Sequence, residues 1–449
     1  MTMDDLRGNP VGTAAPAALA AAEQALWRMM SFYGTPQADL DAAAAFDPHW
    51  MLPPLMQAGF LLSLTDASLH PQAQAHLDAA AALAGRADDR ERAHLHALRT
   101  LIAGDWDGAC NAWEALLLQH PRDALALHWA HLFDFYRGDS INLRQRVARV
   151  LPEWAPADPL RPYVLGLYAF GLEENQLYAE AEAVGRQVLA SARVPWAMHA
   201  VAHVMEMQGR FDSGAAWLRG HKPDWTDGNG YAAHLAWHEA LFALEGLETA
   251  SALALFDQHL GPAQIEVTLQ RLDAAALLWR LRLLDVDVGS RWQTLAAGWD
   301  GAERSAGLSA FNDLHHLLAL LGATDSGAAR RWIDRVAARA EAAPAFARAV
   351  ARELGVPLMQ GLLAFGEGRH RDAVDRLAPL RSRAARLGGS HAQRDLIDQT
   401  LLAAAVGAGD GALGRALLNE RRAAKAATPL TAHWTARLGL RQSRGQTAR

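Results

Sequence analysis

The chain has 449 residues, 51% of them hydrophobic and 20% charged, so it can bury a large core and is not a disordered, collagen-like or short disulfide-framework chain. Its 43 basic and 49 acidic residues give a formal net charge of -6, which argues against a nucleic-acid partner, and no basic patch offsets it. A single cysteine, Cys110, allows neither an intramolecular disulfide nor a cysteine cage for zinc.

Residues 1–16 hold Asp4, Asp5 and Arg7 and lack a basic segment leading into an apolar stretch. They read as a flexible lead-in, not a secretory signal. No later run reaches the ~18 apolar residues of a spanning helix, so a cytoplasmic protein with no membrane partner is expected. From residue 17 onward one unit recurs: an alanine- and leucine-rich helix, a turn carrying Gly or Asn, and a second helix opening on small residues. The turns fall at Gly104-Asp105-Trp106, Gly138-Asp139, Asn175-Gln176, Gly209-Arg210-Phe211, Gly246-Leu247, Gly289-Ser290, Gly322-Ala323 and Gly368-Arg369. They are spaced by 34, 37, 34, 37, 43, 33 and 46 residues. A helix pair every ~34 residues is the period of tetratricopeptide arrays. Strand-like alternation is nearly absent, and none of the Pro- or Gly-marked breaks is long or polar enough to separate domains. The expected fold is therefore all-α, a right-handed superhelical solenoid of tetratricopeptide-like helix pairs over 17–440, able to curl around a lumen. A disordered basic tail, 441–449, follows.

In such an array the first helix of each pair lines the concave face, where ligands bind. Six consecutive first helices carry a ring residue or an arginine between six and nine residues before the turn: His131, Tyr168, His203, His238, Arg280 and His315. Two of them add a histidine one turn earlier, pairing His199 with His203 and His234 with His238. Residues four apart differ by only about 40° around a helix, so each pair projects from one face. Glu206 falls about 20° to the other side of His199, on the same arc. Two imidazoles at i and i+4 with a nearby carboxylate suit Zn, Mn or Fe, which makes His199, His203, Glu206, His234 and His238 candidate ligands of a divalent metal. The same groups suit proton transfer, with His203, His238, Glu206 and His315 as candidate acids and bases. The spacing is not that of a metalloprotease helix, because Glu239 follows the second histidine of its pair. Buried hydrogen bonding between neighbouring helices would use the same residues without any ligand.

Further along, Asn312 and His315 share a face, whereas Asp313 points about 200° away and suits a turn. In Gly388-Gly389-Ser390-His391-Ala392-Gln393-Arg394-Asp395, Ser390 and Gln393 fit a capping box, and Arg394 could reach an anionic group. Trp237 and Trp196, beside the histidine helices, are candidates for a pocket wall. The candidate ligand contacts are Asn312, Arg394, Trp237, His131 and Arg280.

His199-Ala200-Val201-Ala202-His203-Val204-Met205-Glu206-Met207, the His234-x-x-Trp237-His238 helix, Phe311-Asn312-Asp313-x-His315, Val356-Pro357-Leu358-x-Gln360 and Gly389-Ser390-x-Ala392-Gln393-Arg394-Asp395 stand in this order along the chain. In order and spacing they resemble the tetratricopeptide repeat protein 38 family from about Pro121 to Asp395. The resemblance implies a superhelical array of helix pairs and carries no reaction or ligand with it. His316 departs from the pattern, where an apolar residue is expected. Two functions remain open on this reading. One is a scaffold that binds a small polar molecule or a peptide in a His-rich concave pocket. The other is a metal-dependent or histidine acid–base enzyme, a hydrolase or lyase of a small molecule, with its site inside the superhelix.

Overall fold

A computed structural model describes residues 3–226, 228–299 and 301–439, and over these the chain is all-α. Among them helices succeed one another from Pro16 to Arg437, and the sole pair of strands is the two-residue match of Met3–Asp4 with Pro10–Val11. The repeated unit rests on one kind of turn. A first helix ends on a left-handed residue, and the next residue donates its N–H to a carbonyl five positions back, closing carbonyls that the helix end leaves open. Asp105 bonds Thr100 in this way (3.2 Å), Asp139 bonds Asp134 (2.8 Å), Arg210 bonds Met205 (2.8 Å) and Arg369 bonds Ala364 (2.9 Å). The residue after the turn then starts the second helix; Asp105, Asp139 and Asp325 each cap it by accepting from the backbone N–H three residues on.

Four turns differ from the positions expected from glycine and asparagine. The left-handed residues there are Gln176, Leu247, Asp285 and Thr324, with φ of 62, 60, 59 and 62°. The same five-back bonds, Leu177 to Leu172, Glu248 to Ala243, Val286 to Leu281 and Asp325 to Leu320, hold side-chain-bearing residues in a conformation they would otherwise avoid. Gly289 belongs to a second bend, in the connection between helices Thr268–Leu283 and Arg291–Ala297.

Each helix packs on its sequence neighbours, as in a repeat array: Arg161–Glu174 lies against Ser140–Val150, Tyr178–Leu189 and Pro195–Met207. The array also returns on itself. Thr268 Oγ1 donates to Asp66 Oδ2 (3.0 Å), Asn312 Nδ2 to Thr65 Oγ1 (3.1 Å), Arg280 Nη2 to the Ala392 carbonyl (2.7 Å) and Ala426 N–H to the Gln208 carbonyl (3.2 Å). Where the halves meet, backbone runs on backbone. A Cβ on Gly138 would sit 1.9 Å from the Ala385 carbonyl oxygen, and one on Gly388 would sit 2.1 Å from that of Tyr136. Both glycines have positive φ, so no other residue fits either place without strain. This contact seats the start of helix His391–Ala408 against the middle of the array.

Residues 3–16, expected to be a flexible lead-in, are packed instead. Asp5, Arg7 and Asn9 are buried, Arg7 pairs with Glu23, and Asn9 Nδ2 donates to the Arg122 carbonyl (3.3 Å). Asp5 is held within the segment by Arg7 and Asn9, while Arg7 and Asn9 also tie it to Glu23 and Arg122 beyond it. The expected basic tail, 441–449, lies outside the described residues.

Candidate metal centre and its cavity

Helix Pro195–Met207 opens with proline at its first turn, where no intrahelical N–H is lost, and carries His199 and His203 on one face. The next first helix, Ala232–Glu245, carries His234 and His238 in the same register. The two histidine faces meet. One ring nitrogen from each of His199, His203, His234 and His238 lies within 4.8 Å of the other three. Ring centroids are 4.3 Å apart for His199 and His203, 4.5 Å for His203 and His238, and 4.8 Å for His234 and His238. Nε2 of His199 and Nε2 of His234 are 3.1 Å apart. Nitrogens held tetrahedrally at 2.0–2.1 Å from one zinc ion are about 3.3 Å apart, so the four rings stand close to the spacing a metal requires.

Each ring has an oxygen behind it. Asp273 Oδ2, on helix Thr268–Leu283, is 2.7 Å from His234 Nδ1. Glu206 Oε2 is 3.2 Å from His238 Nδ1, Glu173 Oε2 is 3.4 Å from His203 Nδ1, and the Tyr231 hydroxyl is 3.2 Å from His199 Nδ1. An ionised carboxylate only accepts, so the Asp273 contact makes His234 Nδ1 the donor and leaves Nε2 with its lone pair. This is the arrangement that orients metal-ligating imidazoles. Burial holds His199, His203 and His238 well below the ordinary histidine range, with the neighbouring imidazoles adding to the effect, so all three are neutral and able to ligate. Burial pushes Glu206 up to about 8 and Glu173 up to about 7. A cation among the rings would draw both toward their ionised forms. Among the described residues, both nitrogens of His203, Nε2 of His238 and both oxygens of Glu173 are buried without a hydrogen-bond partner. Such orphans cost about 1–3 kcal/mol each, which mere packing would leave unrecovered and a shared metal ion would recover at the two ring nitrogens on its side, Nε2 of His203 and Nε2 of His238.

The rings are closed in on every side but one. His199, His203 and His238 are buried, whereas the His234 side chain keeps 16% of its exposure. Together with Tyr231, Asp273 and Gln393 it borders a cavity of about 250 Å³ lying between the two halves of the array. Most of the wall is apolar, with Phe32, Phe60, Phe135, Trp196 and Phe311 prominent, and Asn312 and Gln393 supply amide groups.

Of the expected metal ligands, the four histidines are brought together. Glu206 is not among them; its carboxyl stands against His238 Nδ1, behind that ring. His315 lies apart from the four, with Nδ1 on the Phe311 carbonyl of its own helix (2.8 Å), and burial lowers it to about 4. His131 is buried in a seam between helices, its Nε2 3.2 Å from the Leu167 carbonyl, and does not reach the cavity. Arg280 is buried too: it donates to the Ala276 and Ala392 carbonyls and lies 5.5 Å from the Trp237 ring. Trp237 stands behind the rings, stacked on His234 at 5.4 Å, and it is Trp196 that lines the cavity. Arg394 pairs with Glu174 Oε2 (3.2 Å), bridging the halves, while Asp395 turns to Arg421. Asn312 lines the cavity, as expected. Asp313 accepts from the Gly307 N–H, the turn contact its angle suggested. Ser390 and Gln393 form the expected capping box, and Gln393 also reaches Asp273 (3.4 Å).

Four contributors were not singled out from sequence: Tyr231, Asp273, Glu173 and Glu174. Tyr231 had a readable signal, since it precedes His234 by three residues and His238 by seven and so shares their face. The other three sit on helices Arg161–Glu174 and Thr268–Leu283, away from the histidine pairs, and have no such spacing. No family model matches the chain. Among the described residues no helix is long and apolar enough to cross a membrane.

Proposed function

We propose that this protein is a metal-dependent enzyme, a hydrolase or lyase of a small molecule, whose divalent Zn, Mn or Fe is held by His199, His203, His234 and His238 at the foot of the cavity. The convergence of four ring nitrogens within 4.8 Å of one another carries the reading. Four ring ligands by themselves would complete the tetrahedron of a closed structural site, so catalysis would require a further coordination position, which only the cavity side beside the partly exposed His234 could supply. A metal there supplies a Lewis acid. The chain itself orients the rings through Asp273 and Glu206, excludes bulk water by burying three of the four histidines, and presents the Tyr231 hydroxyl at the cavity wall. A cavity of about 250 Å³ favours a small molecule over an extended peptide. The reading also takes the chain as a tetratricopeptide repeat protein 38-like array, working in a reducing compartment such as the cytoplasm, with neither membrane nor nucleic acid as partner.

Metal analysis of untagged protein tests this. About one equivalent of Zn, Mn or Fe is expected, lost in H203A and H238A while the melting temperature of the metal-stripped forms stays near that of the wild type. A protein that stays below about a tenth of an equivalent after reconstitution with each of the three metals would overturn the reading. The scaffold function would then stand, with the cavity as its ligand site.

A further inference from the structure

We infer that the cavity receives a small planar aromatic molecule carrying one hydroxyl or carbonyl oxygen, with its rings against the aromatic wall and its oxygen at the end formed by Tyr231 and His234. The position of the oxygen rests on the proposed metal centre; the character of the cavity does not.

The wall carries the inference. A quarter of the residues lining the cavity are Phe, Tyr or Trp, although these make up 7% of the chain. They come from both halves of the array: Phe32 and Phe60 from the first helices, Phe135 and Trp196 from the middle, Phe311 from the later part. Several stand against one another at ring-packing distances, with Phe32 and Tyr231 stacked at 5.0 Å, Trp196 and Tyr231 at 5.3 Å and Phe32 and Trp196 at 5.7 Å. Aromatic faces reward another ring beyond the area it buries, because electron-rich faces attract electron-poor edges, and a saturated ring of the same size lacks that term. Polar side chains such as Thr35, Ser63, Glu266 and Gln270 are interspersed in the wall, but most of its surface is apolar, and Arg28 is already paired with Asp39. At the metal centre stand Tyr231, whose hydroxyl is 3.2 Å from His199 Nδ1, and His234, with Gln393 reaching Asp273 (3.4 Å). A flat apolar body with its oxygen at the Tyr231 and His234 end fits the aromatic wall beside them.

The test uses 2-naphthol and its saturated counterpart, decahydro-2-naphthol, titrated calorimetrically into wild-type protein both as purified and stripped of metal. In the stripped protein 2-naphthol is expected to bind at one site, at least tenfold more tightly than the saturated alcohol. Equal or tighter binding of decahydro-2-naphthol, or saturable binding of neither, would overturn the inference. L132W, and M29W as a second filling variant should the first not fold, narrow the cavity and are expected to weaken 2-naphthol binding at least tenfold. Unchanged affinity in the folded variants would remove the ligand from this cavity. In protein loaded with Co(II), the visible bands are expected to shift when 2-naphthol is added. Bands that stay fixed while 2-naphthol binds would refute the placement of its oxygen. If the stripped protein binds naphthol but takes up no cobalt, the metal centre fails and the aromatic cavity stands.

Discussion

Replacing Asp273 by asparagine keeps the side chain's shape and an acceptor oxygen while removing one negative charge from behind His234. The contact it weakens is the shortest around the four rings, 2.7 Å against 3.2 Å for Glu206 on His238 and 3.4 Å for Glu173 on His203. The Asp273 side chain is 6% exposed, so little water screens the pair. A carboxylate hydrogen-bonded to a metal-ligating histidine is worth roughly 10- to 100-fold in metal affinity, or about 1.4 to 2.7 kcal/mol. The Asp273 contact has the length of a charge-assisted bond, which puts D273N in the upper part of that range, at roughly 30- to 100-fold. E206Q belongs at the lower end, about tenfold, and E173Q, whose contact lacks hydrogen-bond geometry, at about threefold or less. Stripped protein titrated with zinc against a competing chromophoric chelator at constant pH gives the three affinities directly, with thermal melts of the stripped variants as a check on folding. A flat or inverted order, in folded proteins, would refute the view that these oxygens orient and charge-balance a metal through the rings.

Other consequences concern packing and pH. His131 is buried and lowered to about 3, so as pH falls below the ordinary value of about 6.5 the unfolded chain takes up a proton the folded chain does not, and stability declines. H131Q should make that decline shallower by up to about 1.4 kcal/mol per pH unit between pH 6 and pH 4 in urea unfolding, with cavity binding unchanged; an unaltered slope would contradict the buried seam. G138A should destabilise by at least about 2 kcal/mol, from the left-handed backbone and from a methyl forced onto the Ala385 carbonyl, and a loss under about 1 kcal/mol would mean the halves do not touch there. T324G relieves a β-branched residue at φ 62° whose side chain is exposed, and should raise stability by about 1 kcal/mol in thermal melts; a fall would show that the turn depends on the threonine.

The helix pairs could be read before any coordinates because each rests on local chemistry: apolar spacing, glycine in the left-handed position, aspartate at the start of the second helix. Where Leu247, Asp285 or Thr324 takes the glycine's place, the turn is held by backbone bonds that leave no mark on residue type, and the expected position slipped. The same divide runs through the site. His199 with His203, and His234 with His238, belong together because a step of four residues is just over one helical turn, a fact of one helix alone. That both pairs face a shared centre, that Glu206 serves His238 instead of joining it, and that His131, Arg280 and His315 turn into packing seams depend on the rotation and height of one helix against the next. Those are settled by close packing of side chains drawn from distant stretches of chain, down to the contact of Gly138 with Ala385, and no periodicity along a single helix records them.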